Sequence, residues 1–136
     1  MKLTIYTDGG ARGNPGPAAI GVVIRDEAGQ EIKSVGEYIG DTTNNQAEYK
    51  ALLRGFTEAA ALGAEEVFFY LDSELVVKQL TGLYKIKEAG LQQLAMEAIK
   101  LKNGFKNVHF KHVPRAENAR ADELVNQALD AQEKKP

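Results

Sequence analysis

The period of the hydrophobic pattern changes near residue 45, and this change limits the folds open to the chain. Before it, residues 2–8, 18–25 and 31–39 alternate or are rich in β-branched and apolar residues, which is typical of strands. After it, apolar side chains recur at helical spacing, interrupted by two further strand-like segments. Strands followed by alternating helices and strands predict an α/β fold, a mixed sheet with helices on its faces.

The first three strands are predicted to form an antiparallel meander. Asp26-Glu27-Ala28-Gly29 joins the second strand to the third, and its glycine supplies the positive φ of a tight turn. Between the first two strands, from Gly9 to Pro17, glycines and prolines are so frequent that we expect irregular structure. The first strand is therefore expected to end at Asp8.

The remaining elements follow from the period of the hydrophobic pattern and from the residues that interrupt regular structure. The apolar run over 67–71 is typical of a central strand covered on both faces. In chain order the pattern predicts a helix over 45–62, that strand, a helix after Asp72, a helix over 91–102, a strand over 107–113 and a last helix after 117.

Length and composition indicate a single soluble domain. A chain of 136 residues suffices for one hydrophobic core, so we expect one domain over 1–136, with a disordered tail from about residue 131. No apolar run approaches the ~20 residues of a membrane span, and the sequence has no cysteine and no signal-peptide pattern. We expect a cytoplasmic monomer without an obligate protein partner. The net charge of −2 by itself disfavours a nucleic-acid partner, although bound cations would change the local charge.

Four carboxylates stand out by position: Asp8, Glu48, Asp72 and Asp122. Glu48 lies on the apolar stripe of its predicted helix, where an uncompensated charge is costly. Asp8 and Asp72 follow strands, and if those strands are adjacent and parallel, their spacing of about 5 Å allows one cation to bridge both acids. Oxygen ligands without cysteine favour Mg²⁺ or Mn²⁺.

Three of these acids also have structural interpretations. Asp72 suits the N-cap of the helix that follows it. Asp8 suits a turn before two glycines, and Asp122, beside Glu123, suits a solvated helix surface.

The motifs around these acids resemble those of type 1 ribonucleases H. The resemblance covers nearly the whole chain and implies a ribonuclease H-like fold, a five-stranded mixed sheet flanked by helices. It implies an endoribonuclease that hydrolyses the RNA strand of RNA·DNA hybrids. The motifs are Tyr6-Thr7-Asp8-Gly9-Gly10, Gly13-Asn14-Pro15-Gly16, Thr43-Asn44-Asn45 with Glu48, Asp72-Ser73, and Glu117-Asn118 with Ala121-Asp122-Glu123-Leu124-Val125.

The resemblance also implies roles for single residues. The four acids would be catalytic and would hold two Mg²⁺ ions, for which Mn²⁺ substitutes, and hydrolysis would leave 5′ phosphate and 3′ hydroxyl ends. Glu48 would in addition accept a hydrogen bond from a ribose 2′-OH. Expected substrate contacts are Gly9, Gly10, Asn14 and Ser73, together with Thr43, Asn44 and Asn45, which also cap the helix and would grip the DNA strand.

The chain departs from the family in the loop before the last helix. Many members carry a histidine there, whereas here His112 falls on a predicted strand beside Val108 and Phe110 and is expected to be packed. His109 is expected to be exposed. Arg115 is best placed to reach a scissile phosphate, without an acid–base role because arginine stays protonated.

A second departure concerns the basic segment, called the handle, that binds the hybrid in many members. That handle contains tryptophan, and this sequence has none, offering only Lys78 and the segment Tyr84-Lys85-Ile86-Lys87-Glu88.

Other functions stay open at this point. A nuclease of the same fold could cut double-stranded RNA, and an integrase-like strand transferase would need domains for which 136 residues leave no room. A catalytically silent nucleic-acid-binding module would be expected to lose at least one acid. A metal-stabilised structural domain would have no substrate.

Overall fold

The computed structural model describes residues 1–82 and 85–134 and shows the predicted order of elements. They are β1 (Lys2–Ala11), β2 (Gly16–Arg25), β3 (Glu31–Thr42), α1 (Asn44–Ala61), β4 (Glu66–Leu71), α2 (Glu74–Leu80), α3 (Ala89–Lys102), β5 (Asn107–His112), a 3₁₀ turn (Arg115–Asn118) and α4 (Ala119–Glu133).

The strands form one five-stranded mixed sheet in the order β3-β2-β1-β4-β5. β2 pairs antiparallel with both β1 and β3, whereas β1–β4 and β4–β5 are parallel. The predicted fold class and the antiparallel meander are therefore confirmed. The hairpin turn is as expected, since Gly29 has a φ of 81° and the Asp26 carboxylate accepts hydrogen bonds from the backbone N–H groups of Ala28 and Gln30.

The predicted end of the first strand is wrong. β1 continues through Asp8 to Ala11, and Gly9 and Gly10 pair with Ile20 and Ala19 of β2. The glycines serve packing at this point, because a Cβ on Gly9 would lie 2.3 Å from the carbonyl carbon of Ala47 in α1. A strand can accommodate glycine where another backbone approaches closely.

Helices cover both faces of the sheet. On one face, α1, α2 and α3 enclose the largest cluster of buried side chains, among them Ile5, Phe56 and Phe69. On the other face, α4 packs its apolar stripe against β2, with Val125 near Ala19 and Ala121 near Val23. β1 is thus a central strand with α1 and α4 on opposite sides.

α4 continues through Glu133, so residues 131–133, which we expected to begin a disordered tail, are helical. None of the helices in the described ranges combines the length and apolar character that a bilayer span requires.

Candidate active site

The structure brings all four predicted acids to one cavity. Thr7 and Leu71 are the last paired residues of the parallel strands β1 and β4, so Asp8 and Asp72 follow side by side. Glu48 lies one turn into α1, and carboxylate oxygens of these three residues are within 4.8 Å of one another. Asp122, in the first turn of α4, is close enough to Asp8 to contribute to the raised pKa of Asp8. All four acids line a cavity of about 380 Å³.

Burial and mutual repulsion make Asp8 and Glu48 hard to ionise. Burial, followed by the charges of Asp72, Asp122 and Glu48, raises the pKa of Asp8 to about 8. Burial also raises the pKa of Glu48 to about 7, with a further contribution from Asp72, although a hydrogen bond from Ser73 opposes the shift. Without a compensating cation, protons remain in this cluster near neutral pH.

The donor set fits a hard divalent cation. The three clustered ligand atoms are carboxylate oxygens, which favour Mg²⁺ or Mn²⁺, and the sequence has no cysteine to offer a thiolate. A bound cation would favour the ionised carboxylates and so reverse the upward pKa shifts.

Two structural interpretations of these acids are wrong. The N-cap of α2 is Ser73, whose hydroxyl accepts a hydrogen bond from the Val76 N–H at 3.3 Å, so Asp72 does not cap the helix. Asp8 lies inside β1 and therefore is not a turn residue. The Asp122 side chain is 31% exposed, which makes it more solvated than Asp8.

Only some of the predicted substrate contacts line the cavity; Asn14, Thr43, Asn45 and Ser73 are not among its lining residues. Gly9, Gly10 and Asn44 line it, and Asn45 follows, half-buried, in α1. The Asn44 carboxamide oxygen accepts a hydrogen bond from the Ala11 N–H at 2.8 Å, while the Asn44 N–H donates to the side chain of Asn14 at 3.1 Å. Two hydrogen bonds thus fix the loop after β1 to the start of α1.

Of the three residues predicted to cap α1, Thr43 is the N-cap, whereas Asn44 and Asn45 are the first two residues of the helix. The Thr43 hydroxyl accepts a hydrogen bond from the Gln46 N–H at 3.2 Å. A capped helix N-terminus favours anions, because its free N–H groups and dipole are both positive there.

Arg115 lines the cavity on the side of α4. Its side chain is 81% exposed and its guanidinium lies 3.6 Å from the Asp122 carboxylate. His112, in contrast, is exposed rather than packed, because it is the last residue of an edge strand and the helices do not cover it. His109 has a half-exposed side chain, as expected, but it also stacks on Phe68 and lies 2.9 Å from the Glu66 carboxylate.

The predicted handle segment is described only in part. Tyr84 lies outside the described residues, Lys85 and Lys87 are exposed, and Lys78 forms an ion pair with Glu74 at 2.6 Å.

Sequence reasoning missed three polar residues of the site. Asn118 is buried and donates a hydrogen bond to the Thr7 carbonyl at 2.9 Å, which joins the start of α4 to β1 beside Asp8. Arg12 and Asn126 line the cavity. The position of Asn126 one helical turn after Asp122 is a signal in the sequence, whereas nothing in the sequence connects Arg12 with the distant α4.

Sequence comparisons agree with the geometry of the site. A family model described as "Reverse transcriptase-like" matches residues 6–128. The Ribonuclease HI of Halobacterium salinarum is 46% identical over 129 residues, which are 95% of this chain and 65% of that protein. The Ribonuclease H of Erythrobacter litoralis is 32% identical over 96% of this chain and 98% of its own length. Another relative, the Bifunctional protein Rv2228c of Mycobacterium tuberculosis, is 42% identical over 96% of this chain, which spans only 36% of that protein.

Solved structures give the same result. The RNase H1 of Halobacterium salinarum has a TM-score of 0.95 at 44% identity, with 96% of this chain and 99% of that chain covered. LC11-RNase H1, solved in complex with an RNA/DNA hybrid, has a TM-score of 0.91 at 49% identity, with 96% and 98% covered. With the match over residues 6–128 and the four converging acids, these similarities show that the chain belongs to the ribonuclease H family.

Proposed function

We propose that this protein is an endoribonuclease that hydrolyses the RNA strand of RNA·DNA hybrids by a two-metal mechanism. The observation that carries the proposal is the convergence of Asp8, Glu48, Asp72 and Asp122 in one cavity. The hybrid bound to the similar LC11-RNase H1 supports the choice of substrate.

The four acids are the proposed ligands of two Mg²⁺ ions, for which Mn²⁺ substitutes. When bound, the divalent ions would supply an activated water and would neutralise charge on the leaving oxygen of an in-line displacement, which would leave 5′ phosphate and 3′ hydroxyl ends. The protein contributes a partly closed set of oxygen donors, of which Asp8 is only 9% exposed. Burial limits the competition of bulk water for Asp8.

Glu48 is proposed to recognise the ribose of the RNA strand. Its carboxylate lines the cavity next to the backbone of Gly9 and Gly10, where an RNA strand can approach closely, and it accepts a hydrogen bond from a 2′-OH, the group that distinguishes RNA from DNA. Ser73, which already bonds Glu48, and Asn14 are the proposed further contacts to the RNA strand.

The DNA strand is proposed to lie against the start of α1. Thr43, Asn44 and Asn45 present the capped N-terminus of an 18-residue helix, which attracts phosphate. Arg115 is the proposed contact to the scissile phosphate.

We further propose that residues 1–136 form one domain and that the enzyme acts in the cytoplasm as a monomer; the absence of cysteine is consistent with that location. Size-exclusion chromatography with light scattering tests the monomer directly.

The decisive experiment compares matched RNA·DNA, RNA·RNA and DNA·DNA duplexes with Mg²⁺, Mn²⁺ or a chelator. Cleavage is expected only in the RNA strand of the hybrid and only with metal. Asp8→Asn should abolish it, while Asp41→Asn, a change of an exposed acid outside the cavity, should not. Hybrid cleavage that survives the chelator or Asp8→Asn would contradict the two-metal proposal.

A further inference from the structure

Asp122 is the acid whose orientation needs explanation. It is more exposed than Asp8, and it lies outside the trio whose carboxylate oxygens are within 4.8 Å of one another. An exposed carboxylate rotates easily unless a neighbour holds it. The neighbour is Asn126, one turn later in α4, whose amide nitrogen donates to the Asp122 carboxylate at 3.3 Å and to the Asp122 backbone carbonyl at 3.1 Å.

The Asn126 amide is held from its other end by Arg12. The Arg12 guanidinium donates to the Asn126 amide oxygen at 3.3 Å. The same guanidinium forms ion pairs with Asp130 at 2.8 Å and with Glu133 at 2.7 Å. The arginine therefore follows β1 but is fixed against three residues of α4.

The chemistry of the three groups determines the orientation of the Asn126 amide between Arg12 and Asp122. A guanidinium is only a donor and an ionised carboxylate is only an acceptor, whereas an amide is both. If the Asn126 amide were reversed, its NH₂ would face the Arg12 guanidinium and its oxygen would face the Asp122 carboxylate. Both contacts would be repulsive, so the observed amide orientation is strongly preferred.

We propose that Asn126 and Arg12 are positioning residues for Asp122. Asn126 binds one carboxylate oxygen, Oδ2, and thereby leaves the other, Oδ1, for a metal ion and for Arg115, whose guanidinium lies 3.6 Å from Oδ1. Arg12 acts through Asn126 and also joins the end of β1 to α4. The inference rests on the proposed function, in which Asp122 is a metal ligand. Partners that orient metal ligands typically change metal affinity or activity by about 10–100-fold.

The test uses two neighbouring amides of α4. Asn126→Leu removes the proposed hydrogen bond, while the matched control Gln127→Leu removes another exposed amide whose partner is Glu123, outside the cavity. Mn²⁺ binding is measured by electron paramagnetic resonance, and hydrolysis of the hybrid is measured over a range of Mg²⁺ concentrations. Asn126→Leu should weaken Mn²⁺ binding about tenfold and lower kcat about tenfold at unchanged KM for the hybrid, with recovery at high Mg²⁺. Gln127→Leu should change none of these.

Arg12 is tested by a double-mutant cycle. Arg12→Met should weaken Mn²⁺ binding in the same direction, and the double variant with Asn126→Leu should bind Mn²⁺ no more weakly than Asn126→Leu alone, because Arg12 acts through the amide. Melting temperatures without metal separate this effect from a general loss of stability. Wild-type Mn²⁺ affinity in Asn126→Leu, or additive losses in the double variant, would overturn the inference.

The proposed function and the proposed positioning of Asp122 can be refuted independently. If the wild-type protein cleaves the hybrid and Asn126→Leu binds Mn²⁺ like Gln127→Leu, positioning is wrong and the function stands. If the wild-type protein does not cleave the hybrid but Asn126→Leu still loses Mn²⁺ affinity, the proposed activity is wrong and the positioning of Asp122 stands.

Discussion

At the scale of single residues, Asp8 is where burial and charge conflict most. Its pKa is 3.8 in an unfolded chain and about 8 in the fold, and that of Glu48 changes from 4.5 to about 7. Between these values the folded protein binds more protons than the unfolded chain. The stability of the metal-free protein is therefore greatest below pH 4 as far as these groups are concerned, and this contribution is lost as the pH rises towards 8.

Asp8→Asn should remove most of this loss of stability at high pH. Relative to the wild type, we expect the free energy of unfolding of the metal-free variant to be higher at pH 8 by several kcal/mol, since the pKa of Asp8 rises from 3.8 to about 8 and one pKa unit corresponds to about 1.4 kcal/mol. The advantage should shrink at pH 4. Urea unfolding with a chelator measures it, Asp41→Asn is the control, and an equal effect of Asp8→Asn at both pH values would refute the electrostatic explanation.

Arg115 and His112 offer a second comparison of single residues. Arg115→Ala should lower kcat about tenfold or more, because a charge-assisted hydrogen bond to phosphate contributes about 1.5–3 kcal/mol. His112→Ala should leave kcat unchanged, because His112 lies at the end of β5 and does not line the cavity. Steady-state hydrolysis of a labelled hybrid distinguishes the two, and the opposite ranking would assign the missing histidine's role to His112.

Three of the four candidate ligands were predictable from the sequence because of their positions in the local pattern, whereas Asp122 rested on the family resemblance. Glu48 interrupts an apolar helical stripe, and Asp8 and Asp72 follow strand-like segments. Arg12 breaks no pattern, and its partners Asp130 and Glu133 lie more than a hundred residues away along the chain. Such long-range ion pairs depend on how α4 docks, which local periodicity does not contain.

At the scale of elements, the distance between β1 and α1 depends on Gly9. A Cβ at Gly9 would lie 2.3 Å from the Ala47 carbonyl carbon and oxygen, both of them backbone atoms that cannot rotate away. Gly9→Ala should therefore push α1 from the sheet and displace Glu48, at a cost of roughly 3 kcal/mol in stability. At the adjacent Gly10, a Cβ would meet Val125 at an ordinary 3.7 Å.

Gly9→Ala and Gly10→Ala thus form a matched pair for urea unfolding. The first should shift the midpoint strongly and the second only slightly. Equal stability of the two variants would show that α1 tolerates a side chain at this position.

Helix α3 shows where periodicity was insufficient. The spacing of its apolar residues predicts that Leu94, Ala98 and Leu101 point inward. In the structure, Leu101 is 37% exposed and the buried residues are Leu91, Ala95 and Ala98. Periodicity locates the apolar face of a helix, whereas the width and direction of its buried stripe depend on the element that packs against it. α3 contacts the fold chiefly through α1, so its buried stripe is narrow.

At the scale of the whole molecule, the strand order explains why residues distant in sequence share one site. The order β3-β2-β1-β4-β5 places β1 in the centre of the sheet, with α1 on one face and α4 on the other. Asp8 on β1 is therefore within reach of acids from both helices and from the end of β4. The sequence restricted this order because parallel strands require right-handed crossovers, which leave few topologies.

The net charge of the whole molecule should affect how tightly it binds the hybrid. With a net charge of −2 and no tryptophan-containing handle, the protein should bind hybrids more weakly and with greater salt sensitivity than family members that have the handle.

Lys85 and Lys87 are exposed and are the expected partners of phosphate. The double variant Lys85→Ala/Lys87→Ala should therefore lower the affinity for the hybrid. It should also reduce the slope of log K against log salt by about 1 for each lysine that binds a phosphate. Lys106→Ala, just before β5 at the end of the sheet opposite the carboxylates, is the control and should change neither quantity. Fluorescence anisotropy with a labelled hybrid in Ca²⁺ measures both quantities, and a wild-type affinity that does not change with salt would show that these lysines do not contribute to binding.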